Sequence, residues 1–118
     1  MRYLCQVYME DGALGSLSEP EKARLDKDSS DYDEVLKKAG HLVHAEALQP
    51  PATATTVRVH GAKVSVTDGP FAETKEHLGG FILIDARDLD EAIRIASAIP
   101  IARFASVEIR PIYDLRKE

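Results

Sequence analysis

A single cysteine, Cys5, means that no disulfide can form within this chain and that no pair of thiolates is at hand for a structural zinc site. Cys5 lies in the apolar run Tyr3 to Met9, where a lone thiol reads as a small buried hydrophobe rather than a reactive group. No closely spaced His-x3-His occurs either, so no metal site is expected. Positive charge is also in short supply. Fifteen Lys and Arg face twenty Asp and Glu, for a net charge of −5, and the basic residues are scattered, which removes the electrostatic footprint of a nucleic-acid binder. No window approaches the roughly 18 apolar residues of a membrane span, and Met1 to Gln6 meets acidic residues too soon to hold a signal peptide's apolar region. The expectation is a cytoplasmic protein with no direct nucleic-acid or membrane contact. Tryptophan, Gly/Ser tracts and low-complexity segments are absent, and 44% hydrophobic with 30% charged residues is an ordinary globular balance. The chain reads as one domain over residues 1–118.

Arg2 to Met9 carries apolar side chains on both alternating faces, the pattern of a strand covered on two sides. Ser18-Glu19-Pro20-Glu21 has capping-box spacing with proline in the first turn and opens a helix; Leu25, Tyr32, Val35, Leu36 and Ala39 recur at helical spacing up to Gly40. Asp28-Ser29-Ser30-Asp31 is a place where that helix can break in two. A second strand, His41 to Leu48, ends at Pro50-Pro51, with Val43, Ala45 and Ala47 as its plainer apolar face. Thr55 to His60 and Lys63 to Thr67 alternate valines with polar residues around His60-Gly61-Ala62 and form an amphipathic hairpin. Gly80 to Asp85 is a central strand. Asp88 and Glu91 cap a second helix with the stripe Leu89, Ala92, Ile93, Ala96 and Ile99, stopped by Pro100, and Ser106 to Ile112 is the last strand.

This order is β-α-β, a hairpin, then β-α-β, an α+β class of ferredoxin-like split βαβ with an inserted hairpin. Right-handed crossovers place both helices on one face of the sheet, so the apolar residues of the other face need a cover. A second copy of the chain, forming a dimeric α+β barrel, is the economical one.

Two places can carry chemistry. On the face turned from the helices, His44 and Glu46 of the second strand and Glu108 and Arg110 of the last strand converge. Arginine offers a fork of donors to a carboxylate or phosphate, and histidine titrates near neutrality. The competing role for these charges is to neutralise one another and set the register of the interface. The other place is the segment Asp68-Gly69-Pro70-Phe71-Ala72-Glu73-Thr74-Lys75-Glu76. Gly69 and Pro70 fix its path and Phe71 anchors it, which can hold Glu73 and Lys75 for acid–base chemistry or for capture of an acidic ligand; solvated loop charges and a core-plugging Phe71 are the plainer alternative.

This same segment, continuing through Leu78-Gly79-Gly80-Phe81, resembles the DGPF-type members of the YCII-related family. The resemblance extends to Leu48-Gln49-Pro50-Pro51, Thr55-Thr56-Val57-Arg58, Asp90-Glu91-Ala92, Pro100 and Ser106-Val107-Glu108-Ile109-Arg110-Pro111-Ile112. It implies a bacterial protein, a ferredoxin-like subunit and a dimeric α+β barrel, and a link to extracytoplasmic-function sigma factors, beside which such proteins are often encoded. The wider family resembles muconolactone-isomerase-like barrels, with a His/Asp pair whose histidine sits in the first helical region. No histidine precedes His41 here, so that pair is not carried over. His44-Ala45 stands where small residues are typical, and His44 there narrows a pocket or adds an acid/base group.

Two functions follow as expectations. In the first, a homodimer binds a small acidic organic ligand in its barrel cleft for a cofactor-free lyase or isomerase step; Asp68, Glu73 or His44 moves a proton while Lys75 and Arg110 steady negative charge, with Glu46, Glu108 and Phe71 completing the site. In the second, the protein is a non-catalytic sensing or docking module in a sigma-factor pathway. Catalysis requires Asp68, Lys75, Glu108 or Arg110 to converge in a concave pocket holding a carboxyl or imidazole of shifted pKa. Docking places them on an exposed surface.

Overall fold

A computed structural model describes residues 1–117. Its elements are β1 (Arg2–Glu10), α1 (Glu19–Lys38), β2 (Leu42–Ala47), β3 (Thr55–His60), β4 (Lys63–Asp68), β5 (Glu76–Asp85), α2 (Leu89–Ser97) and β6 (Ser106–Pro111). The four long-range strands form one antiparallel sheet in the order β2-β5-β1-β6, while β3 and β4 pair only with each other. This is the expected ferredoxin-like split βαβ with a separate hairpin.

Alternation along the strands decides the core. Tyr3, Cys5 and Val7 of β1 and Ile82 and Ile84 of β5 are buried toward the helices, joined by Leu36, Ala92, Ile95, Ala96 and Ile99. Val107 and Ile109 of β6 pack against the same cluster, as their alternation requires. Cys5 is fully buried, and burial raises its thiol to about 11.

The Asp28–Asp31 interval does not break α1, which runs unbroken for 20 residues. Lys27 bridges it to Asp31 at 2.7 Å, and the Tyr32 hydroxyl donates to the Ile95 carbonyl at 2.7 Å, tying the middle of α1 to α2. Its start is a full capping box: Ser18 Oγ accepts from Glu21 N–H, and Glu21 Oε1 accepts from Ser18 N–H. At its end Gly40, at φ 80°, lets His41 N–H reach the Leu36 carbonyl and its own N–H reach Lys37, a Schellman closure. Ser18→Ala is expected to cost about 1 kcal/mol, read as a lower urea midpoint with unchanged slope.

Three sequence expectations shift. A bulge between Leu42 and His44 puts Leu42 on the core side with Ala45 and leaves Val43 exposed, so β2 does not keep a plain Val43-Ala45-Ala47 face. In α2 the buried stripe is Ala92, Ile95 and Ala96, followed by Ile99, and Leu89 and Ile93 are turned outward. In α1, likewise, Val35 is exposed beside buried Leu36.

Gly79 and Gly80 let strands approach where side chains could not. A Cβ on Gly80 would sit 2.8 Å from the Glu46 carbonyl oxygen, whereas one on Gly79 would meet the flexible end of Met9. Gly80→Ala is therefore expected to cost about 1–3 kcal/mol by pushing β2 outward, and Gly79→Ala clearly less; paired urea melts check the ranking.

Candidate functional site

The sheet and α1 border a half-open cavity of about 560 Å³ at the end where β1 leaves the sheet and β5 enters it. The side of α1 toward the sheet reads Leu25, Ser29, Tyr32, Leu36, an i, i+4, i+7, i+11 stripe in which Ser29 replaces an apolar residue, and Ser29 lines the cavity with Tyr32 and Asp33. Opposite lie Val7 and Met9 of β1 and His77 of β5. The pairing of β1 with β5 shifts between Val7 and Tyr8, so Tyr8 faces Leu78 and Met9 faces His77. That bulge at Gly79 sets His77 beside Met9 on the helix side and Leu78 beside Tyr8 on the open side.

Asp33 is the half-buried carboxyl of this wall. Burial is the main cause that raises its pKa, Glu34 adds to the rise and Lys37 opposes it. Tyr32 is also raised, by burial first and then by Cys5, and its hydroxyl is already committed to the Ile95 carbonyl. Asp33, Ser29 and His77 were not singled out as site residues from the sequence; the legible signal was the polar Ser29 inside an otherwise apolar stripe.

The predicted residues fall into three groups. Glu46 touches the cavity as a residue of β2, but its side chain lies on the open face, 3.0 Å from His44 Nε2, and the His44 ring tilts toward Phe81 at 6.1 Å between centroids. Glu108 and Arg110 pair with each other at 2.8 Å on β6, separated from β2 by β5 and β1. The strand register sets these groups in two rows across the open face, His44-Leu83-Leu4-Arg110 and Glu46-Phe81-Gln6-Glu108. The loop residues form the third group. Its length is less than the sequence indicated, since Glu76 and His77 pair with Glu10 and Met9 as part of β5.

Gly69, at φ 99°, turns the chain out of β4, and Arg58 Nη2 donates to the Phe71 carbonyl at 3.1 Å. Phe71 is 77% exposed and lines a second, open cleft of about 850 Å³ with Tyr8, Leu48, Val57, His77 and Leu78. Asp68 and Glu73 line neither space, and Lys75, 83% exposed, reaches Glu10 at 3.3 Å on the rim of the first cavity. Asp68, Lys75, Glu108 and Arg110 thus do not converge within one chain. Among the described residues no group of three or more His, Cys, Asp or Glu is placed to hold a metal ion, and no helix is long and apolar enough to cross a membrane.

Fold and cavity together define a ferredoxin-like α+β protein with a pocket between helix and sheet. The chain belongs to the YCII-related family, whose model, described as the YCII-related domain, matches residues 1–116. An uncharacterized protein of Rhizobium meliloti (strain 1021) is 37% identical over 114 residues, covering 95% of this chain and 92% of its own. Among solved structures, the 5-chloro-2-hydroxyhydroquinone dehydrochlorinase TftG of Burkholderia phenoliruptrix AC1100, in complex with 2,5-dihydroxybenzoquinone, superposes with a TM-score of 0.56. Identity there is 15%, with 100% of this chain and 99% of that one covered, a likeness of fold.

Proposed function

We propose that residues 1–118 form one cytoplasmic domain that works as a homodimer and binds a small, acidic organic molecule in the 560 Å³ cavity, catalysing a cofactor-free, lyase-type proton transfer. The observation that carries this reading is the cavity itself, a mostly apolar space whose wall holds one half-buried carboxyl, Asp33, with its pKa raised by burial. The dehydrochlorinase with the same fold supports the reaction class. In such an elimination the Asp33 carboxylate takes a proton from carbon, and the C–H electron pair becomes the new double bond. The leaving group departs with its own pair, met by a proton from His77. Lys75, held at the rim by Glu10, receives the ligand's negative charge. His44, Glu46, Glu108 and Arg110 serve the interface with the second copy, where Leu4, Phe81 and Leu83 lie half-buried on the open face.

One observation favours a second reading, a sensing or docking module linked to an extracytoplasmic sigma-factor pathway. Asp68, Phe71 and Glu73 are exposed together on the loop, which suits contact with another protein.

The test is a titration with 2,5-dihydroxybenzoquinone and a panel of small carboxylic acids, followed by absorbance and calorimetry. Saturable binding of at least one compound, abolished when Ser29→Trp fills the cavity, is the expected result. If no compound saturates, or if Ser29→Trp binds like the parent, the ligand-binding reading is wrong.

A further inference from the structure

The hairpin β3–β4 is a well-formed element whose apolar face is largely exposed among the described residues. Its six-pair ladder sets Val57 opposite Val66 and Val59 opposite Val64, all four on one side. They are 59%, 64%, 68% and 64% exposed for Val57, Val66, Val59 and Val64 respectively. The other side is polar: Thr56 opposite Thr67, Arg58 opposite Ser65 and His60 opposite Lys63. At the tip Gly61 has a φ of 62°, the first central position of a two-residue turn, where a type II′ geometry calls for glycine. The base is braced by Gly69 N–H to the Ala54 carbonyl at 2.7 Å and Thr56 Oγ1 to the Gly69 carbonyl at 2.8 Å. The result is a stiff projection. The Cα radius of gyration is 16.4 Å, against about 13–14 Å for a compact chain of this length.

An isolated two-stranded hairpin is marginal in water, so its apolar side needs a cover. The same cleft that the DGPF loop borders shows where that cover comes from. Val57 from the valine side and Tyr8 from the open side of the main sheet are two walls of this 850 Å³ space. The base of the hairpin, Thr56 and Val57, and the open sheet face therefore border one space, and a body seated on the sheet beside it can reach the valine side. The polar groups of the sheet face suit a second copy of this chain as that body. One row ends in His44 and Arg110, whose nitrogens meet carboxylates within the chain at 3.0 and 2.8 Å, and the adjacent row ends in those carboxylates, Glu46 and Glu108, with Leu83, Leu4, Phe81 and Gln6 between the ends. A two-fold axis lying across the strands turns a second copy end for end and lays its Glu46–Glu108 row on this His44–Arg110 row, and the reverse. Self-complementarity of this kind is what an isologous interface requires.

We propose that the Val57, Val59, Val64 and Val66 side of the hairpin is an arm that clasps a second copy of this chain and, in doing so, closes the cleft beside Phe71. The inference rests on the homodimer proposed above and adds the arm as a distinct part of the interface. The cleft is an open groove in one chain and becomes an enclosed space only when the copy is seated.

The experiment compares the parent with Val59→Glu/Val64→Glu on the apolar side, Ser65→Glu on the polar side and Leu83→Glu on the sheet face. Light scattering and sedimentation across a concentration series give the dissociation constant of each. The parent is expected at twice the chain mass of 13.0 kDa. The double valine variant should raise the dissociation constant about tenfold or more, while Ser65→Glu stays within about twofold. A parent that is monomeric throughout overturns both the arm and the homodimer. A dimer broken by Leu83→Glu but indifferent to the valine variant overturns the arm alone. A dimer broken by the valine variant and indifferent to Leu83→Glu supports the arm and removes the sheet face from the interface. Because the four valines are exposed in the single chain, the variants should keep the parent's circular dichroism. Amide exchange of residues 55–68 in the parent is a second readout, expected to slow on passing from monomer to dimer; equal exchange in the two states overturns the proposal.

Discussion

Replacing Asp33 by Asn is expected to lower kcat/KM for an elimination substrate by about 10²- to 10⁴-fold, the usual worth of a positioned general base. Asparagine keeps the shape of the side chain and cannot accept the proton. The pH dependence carries a sign that a merely structural role would not produce. The raised pKa of Asp33 means that its active, ionised form is reached only above the ordinary aspartate value of 3.8, so the rising limb of the rate profile should lie above that value in the parent. The same shift acts on stability in the opposite sense. A group whose pKa is higher folded than unfolded contributes stability that is fully present below the unfolded value and is lost as pH rises through the folded one. At neutral pH the Asp33 carboxylate is therefore a burden on the fold, and Asp33→Asn should melt no lower than the parent there. A variant that is both inactive and clearly less stable at pH 7 would show that Asp33 holds structure instead.

Ile84→Ala is the substitution expected to cost most in folding. Ile84 is fully buried near the end of β5, between Leu42 of β2 and Tyr3 of β1 in the register. Removing its outer carbons leaves a void in a cluster that includes Ile95 and Ile99 and is fixed on both sides by hydrogen-bonded strands. Such a site collapses poorly, which sets the expected loss at about 3–4 kcal/mol out of a typical 5–15. A thermal melt should shift down by roughly 4 °C for each kcal/mol. Ile82→Val, one carbon smaller on the same face, should cost about 1 kcal/mol and give the comparison point. A loss below about 1 kcal/mol for Ile84→Ala would mean that the sheet and helices close over the gap.

Much of the architecture was legible because period and punctuation agree. Tyr3, Cys5 and Val7 alternate with Leu4, Gln6 and Tyr8. Ser18 and Glu21 announce α1, and Gly40 closes it. The hairpin declares itself by four valines around Gly61. What escaped depends on contacts between distant segments. The bulge beside Val43 and the shift at Gly79 are properties of strand pairing, and each reverses which side a residue faces without leaving a trace in its neighbours. For that reason Val43 looked like a core residue and His77 was not singled out. The outward turn of Leu89 and Ile93 is of the same kind, since both fit a helical stripe and only packing under α2 selects Ile95 instead. The candidate site was legible to a smaller degree. Residues Asp68, Glu73 and Lys75 stood out by their density of charge, whereas Asp33 owes its shifted pKa to burial that only the folded chain creates.

Cys5 offers a consequence of another sort. It is the chain's one thiol, wholly inside the core, with its pKa at about 11, so thiolate is scarce and no reagent can reach it in the native state. The neighbours that cover it, among them Ile82 across the β1–β5 pairing and Ile109 across β1–β6, belong to the central sheet rather than to a loop or a fraying end. Reaction of this thiol with a disulfide reagent therefore times the opening of the sheet as a whole. The molecule carries a built-in clock for its own unfolding, readable without any label being introduced.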